Sequence, residues 1–271
     1  MAIKLRSIAT IGALIGALAL AGCGQEEKDP NHIKVGVIVG AEQQVAEVAQ
    51  KVAKDKYGLD VELVTFNDYV LPNEALSKGD IDLNAFQHKP YLDQQIKDRG
   101  YKLVSVGNSF VYPIAGYSKK IKSLDELQNG DQVALPNDPT NLGRSLLLLQ
   151  KVGLIKLKEN VGLLPTVLDV TENPKNLKLV ELEAPQLPRS LDDAQIALAI
   201  INTTYASQIN LTPTKDGLFV EEKDSPYVNL LVAREDNKDA ENVKKFVQAY
   251  QSDEVNDAAN KIFNGGAVKG W

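Results

Sequence analysis

The sequence is short of sulfur, of histidine and of clustered positive charge. Of 271 residues, one is cysteine (Cys23), one is methionine (Met1) and two are histidine (His32 and His88). A lone cysteine excludes a disulfide framework and a thiolate metal cluster within the chain, because each needs at least two sulfurs. Charge argues against a nucleic-acid partner. The 30 Lys+Arg against 36 Asp+Glu leave −6 with no basic block, whereas phosphate binding rests on clustered positive charge. Catalysis is poorly supplied as well: His88 is the one plausible base, and no P-loop, GxSxG or paired metal-ligand motif occurs. No enzyme, cofactor or metal is therefore expected. Hydrophobic residues at 44% exclude disorder and suffice for one large or two small domains with real cores.

The first segment reads as an address. Lys4 and Arg6 precede 16 uncharged residues, Ser7 to Gly22, and Gln25, Glu26, Glu27, Lys28 and Asp29 follow at once. That layout is a signal peptide, too short for a spanning helix, which needs about 20 apolar residues. The polar, unpatterned stretch up to Asn31 reads as a tether.

Beyond it, strand and helix patterns alternate. Ile33 to Val39 is a β-branched run, and Glu42 to Tyr57 carries Val45, Val48, Ala49, Val52 and Ala53 at helical spacing before Gly58. Strands are expected over 61–65 and 81–86 and near Leu103 and Val111, with helices from Asp68 to Lys78 and over 89–99. A second set follows Tyr117: a short helix over 123–127, strands over 132–135, 177–182 and 195–201, and a helix over 140–152. A strand over 227–233 and helices over 240–250 and 254–263 close the chain. This α/β alternation predicts mostly parallel sheets in two lobes joined by crossing strands, with the tail rejoining the first lobe.

Nine of the sixteen aromatics fall between Tyr57 and Tyr117. Each is also a candidate for the core. Phe86 and His88, two apart, share one side of a strand end, Pro90 turns the chain, Tyr91 lies just beyond, and Tyr69 follows another strand. Loops at the carboxyl ends of parallel strands are where open α/β sheets bind ligands, so an aromatic pocket is expected there. In PNDPTNLGR a strand ends and a helix starts with Arg144 in its first turns, suited to a carboxylate; a surface arginine is the alternative. Asn202 ends an apolar strand. Asn229 interrupts another, where its amide wants a polar partner that a backbone group could also supply. Together these describe a site for a zwitterionic amino acid with an apolar side chain: aromatics around the tail, Arg144 on the carboxylate, asparagine carbonyls on the ammonium.

Leu20-Ala21-Gly22-Cys23 resembles a bacterial lipobox. With it, IKVGVIVGAEQQVAEVA, NAFQHKPYLDQQ, PNDPTNLGRSLLLLQ, EAPQLPRSLDD, SPYVNLLV and FNGGAVKGW resemble the NlpA lipoprotein family from the leader to Trp271. The resemblance implies an α/β, two-lobed periplasmic-binding-protein fold of type II-like form, with the ligand cleft between lobes. It implies a leader over 1–22, a lipidated tether over 23–31 anchored in the cell envelope through Cys23, one lobe over 32–114 with 227–271 returning to it, and a second over 115–226. Its implied function is capture of methionine for the permease and ATPase of an ABC importer. Tyr69, Phe86, His88 and Tyr91 would enclose the thioether, Arg144 would take the carboxylate, and Asn141, Asn202 and Asn229 would complete the polar end. The competing readings are an envelope lipoprotein of the same family with a different or weaker ligand, and an envelope hydrolase.

Overall fold

The computed structural model describes residues 29–222 and 224–271, so Cys23 and the leader lie outside the described residues. The first sheet begins with β1 (His32–Ile38), α1 (Ala41–Tyr57), β2 (Asp60–Phe66), α2 (Leu71–Lys78), β3 (Leu83–His88), α3 (Lys89–Arg99) and β4 (Leu103–Val111). α1 forms where the apolar stripe predicts it, burying Val45, Ala46, Ala49, Val52 and Ala53. It stops at Gly58, whose φ of 63° suits a residue without a Cβ and lets its N–H close on the carbonyls of Ala53 and Lys54. Asp68 is not the cap expected of it: α2 starts at Leu71 behind Val70, and Asp68 accepts the N–H groups of Val70 and Leu71 in the loop that leads into it. Residues 103 and 111 belong to one nine-residue strand rather than two.

The chain then crosses to a second sheet through β5 (Ala115–Tyr117), β6 (Gln132–Pro136), α4 (Pro139–Lys151), the small hairpin β7 (Lys156–Leu157) and β8 (Val170–Glu172), and β9 (Lys178–Leu182). Short helix α5 (Leu187–Ser190), β10 (Ile196–Ile201), α6 (Thr203–Gln208), α7 (Pro213–Asp216) and β11 (Phe219–Val220) complete it. The return adds β12 (Val228–Arg234), α8 (Glu241–Tyr250), α9 (Asp253–Ile262) and β13 (Val268–Lys269) to the first sheet.

Neither sheet is mostly parallel. In the order β13-β4-β12-β3-β1-β2, β1 runs parallel to β2 and β3, but β12 enters between β3 and β4 antiparallel to both. The second sheet, β11-β5-β10-β6-β9, is parallel from β10 to β9 and antiparallel at β5 and β11. The cause is connectivity. Strands that follow a crossover helix inside a lobe lie parallel, whereas those that arrive from the other lobe enter in the opposite direction. The two crossing segments run side by side, Glu221 donating its backbone N–H to the Ile114 carbonyl at 2.9 Å.

Each sheet buries its own apolar layer. Val35, Val37, Leu83, Phe110, Leu231 and Phe246 pack under α1, α8 and α9, and Val133, Leu135, Leu146, Leu149 and Leu198 under α4. A third cluster spans both lobes, joining Ile38, Phe86 and Tyr91 to Tyr117, Ala199, Ile201 and Tyr205. It forms the apolar wall of the space between them.

Candidate functional site

All eight residues expected at the site converge on one cleft of about 340 Å³ between the lobes, where Gln87, Tyr112, Thr203 and Thr204 join them. The first lobe supplies the apolar half. β3 ends at His88, which caps α3: its Nδ1 accepts the Tyr91 N–H at 3.1 Å, and Pro90 in the first turn fixes the bend. The Tyr91 hydroxyl then donates to the Tyr69 carbonyl at 2.8 Å, tying the loop after β2 to α3. Tyr69 stacks near Phe86 at 5.9 Å between centroids, and Tyr91 stands edge-on to Phe86 at 6.0 Å. These three rings, each about 6 Å from the other two, pack into one aromatic wall of the cleft.

His88 is neutral and of defined tautomer. Because Nδ1 accepts a backbone N–H, the proton sits on Nε2 and donates to Asn141 Oδ1 at 3.2 Å across the cleft. Burial, then the Arg144 charge, pushes its pKa down to about 3. With both ring nitrogens engaged, His88 is a wall and a bridge rather than a general base.

Asn141 sits in the first turn of α4, and its carboxamide is spent inside the protein. Asp138, the cap of α4, accepts its backbone N–H and its side-chain NH2, while its carbonyl oxygen accepts from His88 and from Asn202 Nδ2 at 2.9 Å. Asn141 therefore orients other site residues instead of offering a free carbonyl. Asn202 offers one: among the described residues its buried Oδ1 has no hydrogen-bond partner. A buried acceptor left unpaired costs about 1–3 kcal/mol, so this oxygen is suited to accept from a donor in the cleft. Asn229, paired in register with His88, donates to the Phe86 carbonyl at 3.0 Å. A backbone group thus supplies a partner for its amide N–H, the alternative that its strand position left open.

Arg144 departs from the expectation of a free fork. Its Nε donates to Glu221 Oε1 at 2.9 Å, its Nη2 donates to Glu221 Oε2 and to the Tyr112 carbonyl at 3.0 Å, and its guanidinium lies 4.4 Å from the Tyr227 ring centre. A protein carboxylate from the crossing segment thus balances the cation, and among the described residues Nη1 alone of the three nitrogens makes no hydrogen bond. α4 reaches this position because Gly143 lets the 163–165 loop close on it; a Cβ there would lie 2.4 Å from the Leu163 carbonyl oxygen. Glu221 has no local signal in the sequence, being one acid among several in a polar stretch. Thr203 and Thr204 were legible in principle, since they directly follow Asn202 at a strand end.

Charge on the cleft walls sums to near zero, with an aromatic wall at one end and an unpaired carbonyl and an arginine edge at the other. Such a site suits a small zwitterion with an apolar tail.

A family model described as NlpA lipoprotein matches residues 33–271. Over all 271 residues, and all of the relative, the chain is 88% identical to the D-methionine-binding lipoprotein MetQ of Escherichia coli K12. A crystal structure of the methionine binding protein MetQ covers 90% of this chain and 99% of its own at 91% identity, with a TM-score of 0.89. A nutrient binding protein from Burkholderia cenocepacia, solved bound to methionine, covers 88% of this chain and all of its own at 53% identity and a TM-score of 0.85.

Proposed function

The chain belongs to the NlpA lipoprotein family, and from that premise we propose that it is the substrate-binding lipoprotein of an ABC importer, which captures methionine between its lobes and hands it to a permease driven by an ATPase. The observation that carries the ligand is the pairing of a three-ring wall with the orphaned Asn202 carbonyl and the Arg144 edge in one interlobe cleft. Thioether sulfur is favourable against aromatic rings, so the side chain lies against Tyr69, Phe86 and Tyr91. Its carboxylate meets Arg144 Nη1 and its ammonium the Asn202 oxygen, with Asn229 beside them.

Capture works by differential contact. Each lobe carries half of the site, so the ligand favours the closed state by bonds that the open state lacks. The hinge lies where the chain crosses twice, at residues 112–114 and 221–227, and Arg144 holds both crossings through Tyr112 and Glu221. At its start the mature chain is held to the envelope by acylation of Cys23, and the role is binding without turnover.

A thermal-shift screen of the mature protein against the amino acids tests this reading, since a ligand bound only by the folded state raises the melting temperature. Methionine should give the largest rise. No rise with either enantiomer, or a larger one with another amino acid, would overturn the assignment.

A further inference from the structure

The apolar stripe of α1 contains a carboxylic acid. Glu42 lies one turn before Val45 and Ala46 on the buried face and is 2% exposed. Its partner comes from the other lobe: the Thr204 hydroxyl of α6 donates to Glu42 Oε1. Two further bonds from α6 reach the first lobe beside it, Gln208 Nε2 to the Val39 carbonyl at 2.9 Å and the Tyr205 hydroxyl to the Asn67 carbonyl at 3.4 Å. Glu42 is thus sealed where the lobes meet, behind the cleft wall formed by Thr204.

Among the described residues no cation stands against it. The titratable side chains that feel its charge are Tyr69 from the loop after β2, Tyr112 from the end of β4, Tyr205 from α6 and Tyr250 from α8, each with its own pKa raised first by burial. His88 and Arg144 face the adjoining cleft, the first neutral and the second paired with Glu221. The start of α1 favours negative charge, but no backbone N–H bonds to the carboxyl; its one hydrogen bond among the described residues is to a hydroxyl. An ionised carboxylate buried with one hydroxyl is costly, and the neutral acid is the form that burial favours.

We propose that Glu42 is the latch residue of lobe closure and that it closes protonated: opening removes Thr204 and admits water, the carboxyl releases its proton, and capture of methionine takes that proton back from solvent. Burial holds the closed-state carboxyl at about 8, against 4.5 for an exposed one. The closed state is therefore favoured fully below 4.5 and loses that advantage as pH rises to about 8. The inference rests on methionine capture by closure.

Titration calorimetry of the mature protein with methionine, in buffers of different ionisation enthalpy at pH about 7.5, tests it; an exposed histidine is mostly neutral there. Wild type should take up about three-quarters of a proton per methionine, and its affinity should fall by close to tenfold per pH unit between about 5.5 and 7, by about fivefold from 7 to 8, and level off beyond. Glu42→Gln, which mimics the neutral acid, should bind methionine with no uptake and a flat profile, within several-fold of wild type near pH 4.5 and roughly several hundred-fold more tightly at about 7.5. Wild-type uptake near zero, or equal uptake in the variant, would overturn the latch. Should the variant fail to fold, 13C titration of the carboxyls in methionine-saturated wild type decides: one glutamate near 8 supports the proposal, and none above about 5 overturns it. Absence of methionine binding would overturn the functional reading, and the latch with it.

Discussion

Arg144 spends three of its five N–H donors inside the protein, on Glu221 and the Tyr112 carbonyl, and its Nη1 makes no hydrogen bond among the described residues. Removing it does two things at once. Arg144→Ala should weaken methionine binding at least about tenfold, the loss of one charge-assisted contact. It should also destabilise the fold by about 3–5 kcal/mol, because Glu221 is left nearly buried without its partner. Calorimetry and denaturant unfolding measure the two separately; unchanged affinity would remove Arg144 from the ligand. The contributors that the sequence revealed are those with local signals: Phe86 and His88 two apart at a strand end, Arg144 and Asn141 at a helix start, Asn229 inside an apolar strand. Glu221 and Glu42 act through distant partners, and only the placement of Glu42 in the stripe of α1, three residues before Val45, carried a hint. Asn141 was found, but its inward role was not, because Asp138 and His88 claim its amide only in the folded chain.

At the scale of elements, the helices were legible because amphipathic spacing is a local property. α3 spans Lys89–Arg99, the bounds expected from the strand-helix alternation although its own apolar spacing is weak, and α8 begins within one residue of the expected start. Strand direction was not legible. Nothing in YVNLLVA records that β12 enters antiparallel between β3 and β4, since that depends on where the chain returns from. This inserted strand makes α8 and α9 part of the first lobe's core, where Phe246 is fully buried against α1 and the sheet. Phe246→Ala should cost about 3–5 kcal/mol in denaturant unfolding, as an unfilled aromatic cavity does, while leaving the cleft intact. A loss below about 1 kcal/mol would mean that the tail helices are not part of that core. Short pieces such as α6 had no periodicity to read, yet α6 carries three of the bonds that join the lobes.

For the whole molecule, two buried groups titrate in opposite senses. Glu42, raised from 4.5 to about 8 in the closed state, binds its proton more tightly there than in the unfolded chain, so the stability of the methionine-bound protein falls by about 1.4 kcal/mol per pH unit as pH rises between those values. His88, lowered from 6.5 to about 3, is neutral when folded, so its contribution is full above 6.5 and is lost as pH falls toward 3. Between 4.5 and 6.5 the slopes offset each other, which predicts a stability plateau there and a decline on both sides. Melting curves of the methionine-saturated protein across pH should show that Glu42→Gln removes the alkaline decline and leaves the acid one. Persistence of the full alkaline decline in the variant would assign it to other groups. Two half-sites, one hinge that Arg144 bridges and a neutral seam behind the cleft make closure and capture one event. The most direct test is a titration of the wild-type mature protein with methionine by calorimetry. The account predicts saturable one-to-one binding, and an absence of saturable heat with either enantiomer would contradict it.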